Sequence, residues 1–415
     1  MNFLSRTSPS TLHGTVLVAS GAIGAGMFSL PVVASGMWFG WAVLGLCLVW
    51  LFNLLANLLL VEANLRYPSG ASFSTIVSGT LGHRWNFAND LAIAFVMYIL
   101  LYAYFSASGS IVDNSLSVAF GIDNPLPRNV SSLLFGLLIA ICVWLGTAMV
   151  SRISMVFLLG MIITFMLSTA GILLHVEIAT LVGKQFLPIS FAAYSWAALP
   201  YFVTSFACAG LVPSLVKYYQ SDPVQVKASL TWGTLISLVI YVLWVAAVFG
   251  SLGRGGIAPV VNAGGNMGEL VGALTSSTQQ QNLGLLINLF SNFAITTSFL
   301  SISLGLFDYI ADKFKFSEDG RGRRNSALLT FLPPALLSFF FPNGFILAIG
   351  YAGLVVLFSF YLVPVVMAFK HRASSENLTY QLSGGKALLC TILAFTLIAA
   401  TCKILGTLGA LPVFP

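Results

Sequence analysis

Two runs in this sequence place glycine and proline where a membrane-spanning helix should be most regular. The first is Gly21-Ala22-Ile23-Gly24-Ala25-Gly26-Met27-Phe28-Ser29-Leu30-Pro31. The second is Ser205-Phe206-Ala207-Cys208-Ala209-Gly210-Leu211-Val212-Pro213-Ser214. Small residues alone would serve close helix packing. The added Pro31 and Pro213 argue instead for interrupted helices. Hydrocarbon supplies no water to freed backbone groups, so a break at that depth must face protein or a watery cavity. N–H groups opening a half-helix favour a carboxylate. Carbonyls ending the preceding half-helix favour an ammonium group or a cation. Two such breaks side by side suit a zwitterion, which is the chemistry of an amino acid.

The binding candidates follow from that geometry. Ala22, Ile23, Gly24, Ala25, Gly26, Met27 and Phe28 supply the first break, and Ser205, Phe206, Ala207, Ala209 and Gly210 the second. Gly24 and Gly26 let the backbone approach a ligand without a Cβ between. Phe206 adjoins the second break, as a gating ring or as packing. Tyr98 and Tyr102, four residues apart, share a helix face and supply hydroxyls at membrane depth, as does Tyr104. Asn292, Thr296, Thr297 and Ser298 are polar groups for the pocket or for helix–helix hydrogen bonds. Ionisable groups within spans are the usual functional suspects. Glu62 and Asp308 fit coupling or gating, and equally an ion pair with an interfacial arginine such as Arg66. Lys403 reads as a snorkelling side chain near a span end.

These residues need an apolar scaffold, and the composition provides one. Of 415 residues, 58% are hydrophobic and 7% charged, against roughly 25% charged in a soluble domain. The solvent for most of this chain is therefore lipid. Spans are expected near 12–35, 39–65, 88–112, 131–150, 153–175, 191–217, 229–250, 282–310, 326–341, 344–369 and 386–408. With the N-terminus cytoplasmic, Arg6, Arg66, Arg84, Arg152, Lys217, Lys227, Lys313, Lys315, Arg321, Arg323, Arg324, Lys370, Arg372 and Lys386 lie inside. Arg128, Lys184, Arg254 and Lys403 lie outside, a ratio of 14 to 4 that fixes the orientation and puts the C-terminus outside. The net charge of +6 therefore reports topology, not nucleic-acid affinity.

Ten spans divide into two sets of five, 12–175 and 191–369, each opening with a broken helix, and 386–408 is appended. An odd number per set inverts the second against the first, the logic of inverted-repeat transporters. The expected architecture is an all-α integral membrane bundle of 5+5 spans plus an eleventh. Asn124-Pro125-Leu126-Pro127 and the glycine-rich 252–268 read as outside loops, and Pro333-Pro334 as a kink or local unwinding. Cys47, Cys142, Cys208, Cys390 and Cys402 sit in apolar spans and imply neither disulfides nor a metal cluster. His13, His83, His175 and His371 fall near span ends. With no His-Glu-x-x-His or Gly-x-Ser-x-Gly motif, an intramembrane enzyme or bound cofactor is not expected. A channel would show charge rings or repeated filters, and neither is present.

The sequence resembles the bacterial aromatic amino acid permeases, the tryptophan/tyrosine branch of the amino acid–polyamine–organocation superfamily. The resemblance runs nearly end to end. It rests on Ile23 to Pro31, Leu60-Val61-Glu62-Ala63-Asn64-Leu65, Tyr98-Ile99-Leu100, Val212-Pro213-Ser214-Leu215, Ser291-Asn292-Phe293-Ala294, Leu304-Gly305-Leu306-Phe307-Asp308-Tyr309 and Phe341-Pro342-Asn343-Gly344-Phe345. It implies a LeuT-like fold in the inner membrane and proton-driven uptake of an aromatic amino acid. Met27-Phe28 and Glu62 to Leu65 look closer to the tryptophan-transporting members. Two positions depart from the family pattern. A histidine usual in the second break is Ala209 here, and a lysine frequent in span five is Met161. Both departures remove charge near the site and open sodium coupling, or an altered amino acid preference, as the alternative.

Overall fold

A computed structural model describes residues 10–120, 126–174, 176, 181, 187–278, 281–317, 319–373, 380–412 and 414. Arg6, Lys184, His175 and the Asn124-Pro125 turn lie outside the described residues. The secondary structure of those described is helical. Nine helices are long and apolar enough to cross a membrane, or ten when one bent pair is counted as a single span. That pair is α1 (Thr11–Ala22) with the 3-10 turn Ala25–Phe28 and α2 (Ser29–Ala34), bent by 51° at the break.

α3 (Trp38–Asn64) returns, followed by the short α4 (Phe73–Leu81), which Ser72 caps by accepting from the Thr75 N–H at 3.1 Å. α5 (His83–Phe120) is far longer than the expected 88–112. α6 (Arg128–Leu145) and α7 (Thr147–Leu173) meet at Gly146 rather than near Arg152. Gly146 has φ 114°, a left-handed turn that a side chain would strain, so the chain reverses there. The second broken span is α8 (Tyr194–Ser205) with α9 (Val212–Tyr218).

α10 (Pro223–Asn262) and α11 (Met267–Ser277) replace the expected loop over 252–268. The helix turns a corner at Gly253 (φ 61°) and resumes, because buried Ile257 and Val260 give the far arm an apolar face. α12 (Gln281–Phe314) follows, then α13 (Gly320–Phe340), α14 (Phe345–Leu357), a π-helical segment Phe358–Leu362, α15 (Val363–Ala373) and α16 (Gly385–Thr407).

α13 corresponds to the expected span 326–341. It has a span's length, but it falls outside the nine because its start carries Arg321, Arg323 and Arg324. Pro333 and Pro334 do not unwind it. Pro333 removes the N–H that would serve the Leu329 carbonyl. The Tyr98 hydroxyl of α5 donates to that carbonyl at 2.9 Å instead. α7 packs on α12, α1 on α10, and α5 on α6 and α14, which leaves the two breaks facing each other at the bundle centre.

Candidate functional site

The first break begins where Ile23 and Gly24 take extended backbone, after the Ile23 N–H has closed α1 on the Ala19 carbonyl at 2.9 Å. The next half-helix starts against α12, with the Ala25 N–H donating to Ser298 Oγ at 2.9 Å. A Cβ on Gly24 would stand 2.7 Å from that oxygen, so only glycine permits this approach. In the second break, the Phe206 N–H still reaches Phe202 at 3.2 Å, and Cys208 then leaves helical geometry.

One side chain joins the two breaks. Tyr241 of α10 holds its hydroxyl oxygen 2.7 Å from the Ala22 carbonyl and 2.6 Å from the Ser205 carbonyl. A phenol has one hydrogen, so it serves one carbonyl at a time and leaves the other open. Removing the hydroxyl leaves both buried carbonyls short of a donor. A Tyr241→Phe protein should lose about 1–3 kcal/mol of stability, read as a lower unfolding midpoint in detergent. A midpoint equal to that of the parent protein would show that the bridge is dispensable.

Between the breaks lies a cavity of about 500 Å³. Of the residues expected from sequence, Ala22, Ile23, Gly24, Gly26, Ser205, Ala207 and Gly210 line it. A Cβ on Gly26 or on Gly210 would meet nothing within 4 Å, so both glycines look onto open space. The remaining wall comes mainly from α5, α7, α12, α14 and the π segment. Ile23, Val96, Met97, Leu100, Leu158 and Met161 make it largely apolar, and Tyr104, Thr204, Thr297, Ser298 and Ser301 add hydroxyls. No charged side chain lines it among the described residues.

The structure takes the other expected residues elsewhere. Ala25, Met27 and Phe28 are core, with the Phe28 ring 5.1 Å from Phe290 and 5.2 Å from Trp244. Phe206 is fully buried, edge-on to Tyr241 at 5.0 Å, and does not line the cavity. Ala209 sits in an apolar cluster with Val18 and Leu58. Tyr98 and Tyr102 donate to the Leu329 and Phe341 carbonyls. Tyr104 is two residues further along, about 200° around the helix, and so faces the cavity that they do not. Asn292 donates to Ser115 Oγ at 2.7 Å, and Thr296 bonds back to the Asn292 carbonyl. The adjoining face, Thr297, Ser298 and Ser301, is the one that lines the site.

Glu62 is held in an ion pair away from the cavity. Both its oxygens accept from Arg372, at 2.9 and 2.6 Å, and the Leu382 N–H adds a third bond at 3.0 Å. Its partner is thus Arg372, while Arg66 donates to the His371 carbonyl. Asp308 is exposed on α12, outside the cavity, beside Phe307, over which Arg323 lies. Sequence reasoning missed Asn53 and Asn57. Asn57 donates to Cys208 Sγ at 3.4 Å and Asn53 accepts from Tyr361, so they brace the second break from behind. Their spacing of four within an apolar span was the available signal.

The model of the tryptophan/tyrosine permease family matches residues 7–403. A tryptophan-specific transport protein of Pseudomonas aeruginosa (strain UCBPP-PA14) is 44% identical over 404 residues, covering 97% of this chain and 96% of its own. A tyrosine permease of Enterobacter agglomerans is 37% identical over 374 residues, 88% of each chain. A low affinity tryptophan permease of Escherichia coli (strain K12) is 36% identical over 408 residues, 98% of each. Among solved structures, MhsT in complex with L-phenylalanine superposes with a TM-score of 0.57 at 12% identity, over 96% of this chain and 98% of that one. At that identity the likeness concerns the fold alone, which is LeuT-like.

Proposed function

Starting from the fact that this chain belongs to the tryptophan/tyrosine permease family, we propose that it is a secondary active symporter importing an aromatic amino acid, L-tryptophan first, across the bacterial inner membrane. It is a transport permease, not an enzyme. The observation that carries the reading is the uncharged, largely apolar cavity between two broken helices, onto which Gly26 and Gly210 open.

In this reading the carboxylate meets the backbone at Gly24 and Gly26, the cavity-lining residues at the start of the second half-helix. The ammonium meets carbonyls at the end of α1 and whichever of Ala22 and Ser205 Tyr241 does not serve. The ring lies among Val96, Met97, Leu100 and Met161. Transport rocks one bundle against the other around this fixed site. The N-terminus is cytoplasmic and the C-terminus periplasmic, on the 14 to 4 distribution of cations, with α13 completing eleven spans.

Proton coupling is the first reading for the driving gradient. One observation favours a second. The cavity wall carries the hydroxyls of Thr297, Ser298 and Ser301 and, among the described residues, no carboxylate, histidine or lysine, with Met161 at the position where the family resemblance implies lysine. Hydroxyl and carbonyl oxygens suit sodium. The test is uptake of labelled L-tryptophan into proteoliposomes under an imposed proton gradient and then a sodium gradient, with tyrosine, phenylalanine and leucine as competitors. Accumulation that saturates, responds to one gradient and yields to aromatic competitors is expected. Linear, gradient-independent flux would point to a channel, and absence of tryptophan uptake under both gradients would overturn the substrate.

A further inference from the structure

At the end of the bundle opposite Glu62, a second cavity of about 480 Å³ opens between α2, α8, α14 and α16. Lys403 of α16 stands in its wall, only 9% exposed. It does not snorkel outward as its position near a span end suggests. Its Nζ lies 4.5 Å from the centre of the Tyr351 ring and 5.2 Å from that of Tyr201. Gly350 makes room for it, since a Cβ there would stand 2.6 Å from Lys403 Nζ.

Ring faces attract an ammonium but supply no counter-charge. Burying a cation without an anion is costly, and inside a membrane it marks a site by default. None of the described ion pairs includes Lys403, and no carboxylate lines this cavity among the described residues. A second cation, Arg254, lies 4.6 Å from the centre of the lining ring of Phe414. Among the described residues the cavity therefore has a lysine and aromatic rings in its wall and no anion.

We propose that this cavity is a second ligand site, for an aromatic carboxylate that lacks an ammonium group. The carboxylate meets Lys403, and the rings of Tyr194, Tyr201, Tyr351 and Phe414 take the aromatic body. An α-ammonium would be set beside Lys403 and repelled, so the selectivity is the reverse of that at a zwitterion site. α2 and α8 are the halves of the two broken spans on this side of their breaks. A ligand wedged between them and α14 and α16 resists their relative movement and slows transport without competing for the central cavity.

The test is calorimetric binding of indole-3-acetate to the full-length protein in phosphatidylcholine nanodiscs, with and without saturating L-tryptophan. Binding should be unchanged by tryptophan, fall at least tenfold in Lys403→Met, and persist in Lys403→Arg and in Gly26→Leu. Tryptamine, which lacks the carboxylate, should give no heat. Displacement by tryptophan or loss in Gly26→Leu would place the probe in the central cavity and overturn the proposal. So would equal binding to Lys403→Met. Loss of the Lys403-dependent signal in nanodiscs containing phosphatidylglycerol would also overturn it, by making a lipid headgroup the anion. Because Gly26→Leu alters only the central cavity, failure of the tryptophan reading leaves this outcome untouched.

Discussion

Glu62→Gln is expected to cost about 3–5 kcal/mol of stability, the scale for removing one partner of a buried ion pair. The side chains of Glu62 and Arg372 are 0% and 8% exposed, so neither charge has water to fall back on. Arg372 also donates to the Leu382 and Gly385 carbonyls, which fixes the start of α16 to the end of α15. Losing the carboxylate leaves a buried guanidinium and loosens that junction together. The yield of folded protein from membranes and its unfolding midpoint in detergent should both drop. The double variant Glu62→Gln/Arg372→Met removes both charges and should recover much of the midpoint. It also separates structure from coupling, because gradient-driven accumulation should survive in the double variant. A single variant as stable as the parent protein would sink the structural assignment, and uptake uncoupled from any gradient in the double variant would return Glu62 to the coupling machinery.

Gly26→Leu should abolish uptake while leaving the protein folded. The space beyond Gly26 holds no protein atom within 4 Å, so the new side chain displaces ligand rather than a neighbour. A loss of about 3 kcal/mol of binding corresponds to roughly a 100-fold fall in affinity, and Gly210→Leu should behave alike from the opposite wall. Gly24 differs, because even an alanine there meets Ser298. Gly24→Ala should therefore lower stability as well as uptake. Wild-type KM for tryptophan in Gly26→Leu, at normal membrane abundance, would remove this cavity from the transport path.

The two breaks were legible because glycine and proline inside an apolar run leave few alternatives to interrupted helix. Which break residues look onto the cavity was only partly legible, since Gly26 and Gly210 line it while Ala25, Met27, Phe28, Phe206 and Ala209 turn into the core. Helix faces were harder. Spacing shows that Tyr98 and Tyr102 share a face, but the rotation of α5 in the bundle decides whether that face looks at the site or at α13, and it looks at α13. The same holds for Asn292 and Thr296 against Thr297 and Ser298. Ion-pair partners were illegible for another reason. Arg66 is four residues from Glu62 and Arg372 is 310 away, and only the fold brings the distant one into contact. Glycine also misled. At Gly253 a single positive-φ residue ends one helical arm and a second begins at once, so the glycine-rich stretch was mistaken for a loop.

The π-helical segment Phe358–Leu362 lies between the cavity and the Glu62 end of the bundle. A π turn accommodates one residue more than an α turn, so every side chain after it is offset by about 100° from where an unbroken helix would carry it. Ser359 and Phe360 within the segment line the central cavity, and Arg372 stands ten residues beyond its end. Arg372 meets Glu62 from beyond that offset. With a regular α turn in its place, Arg372 would be carried about 100° away from the direction in which it meets Glu62.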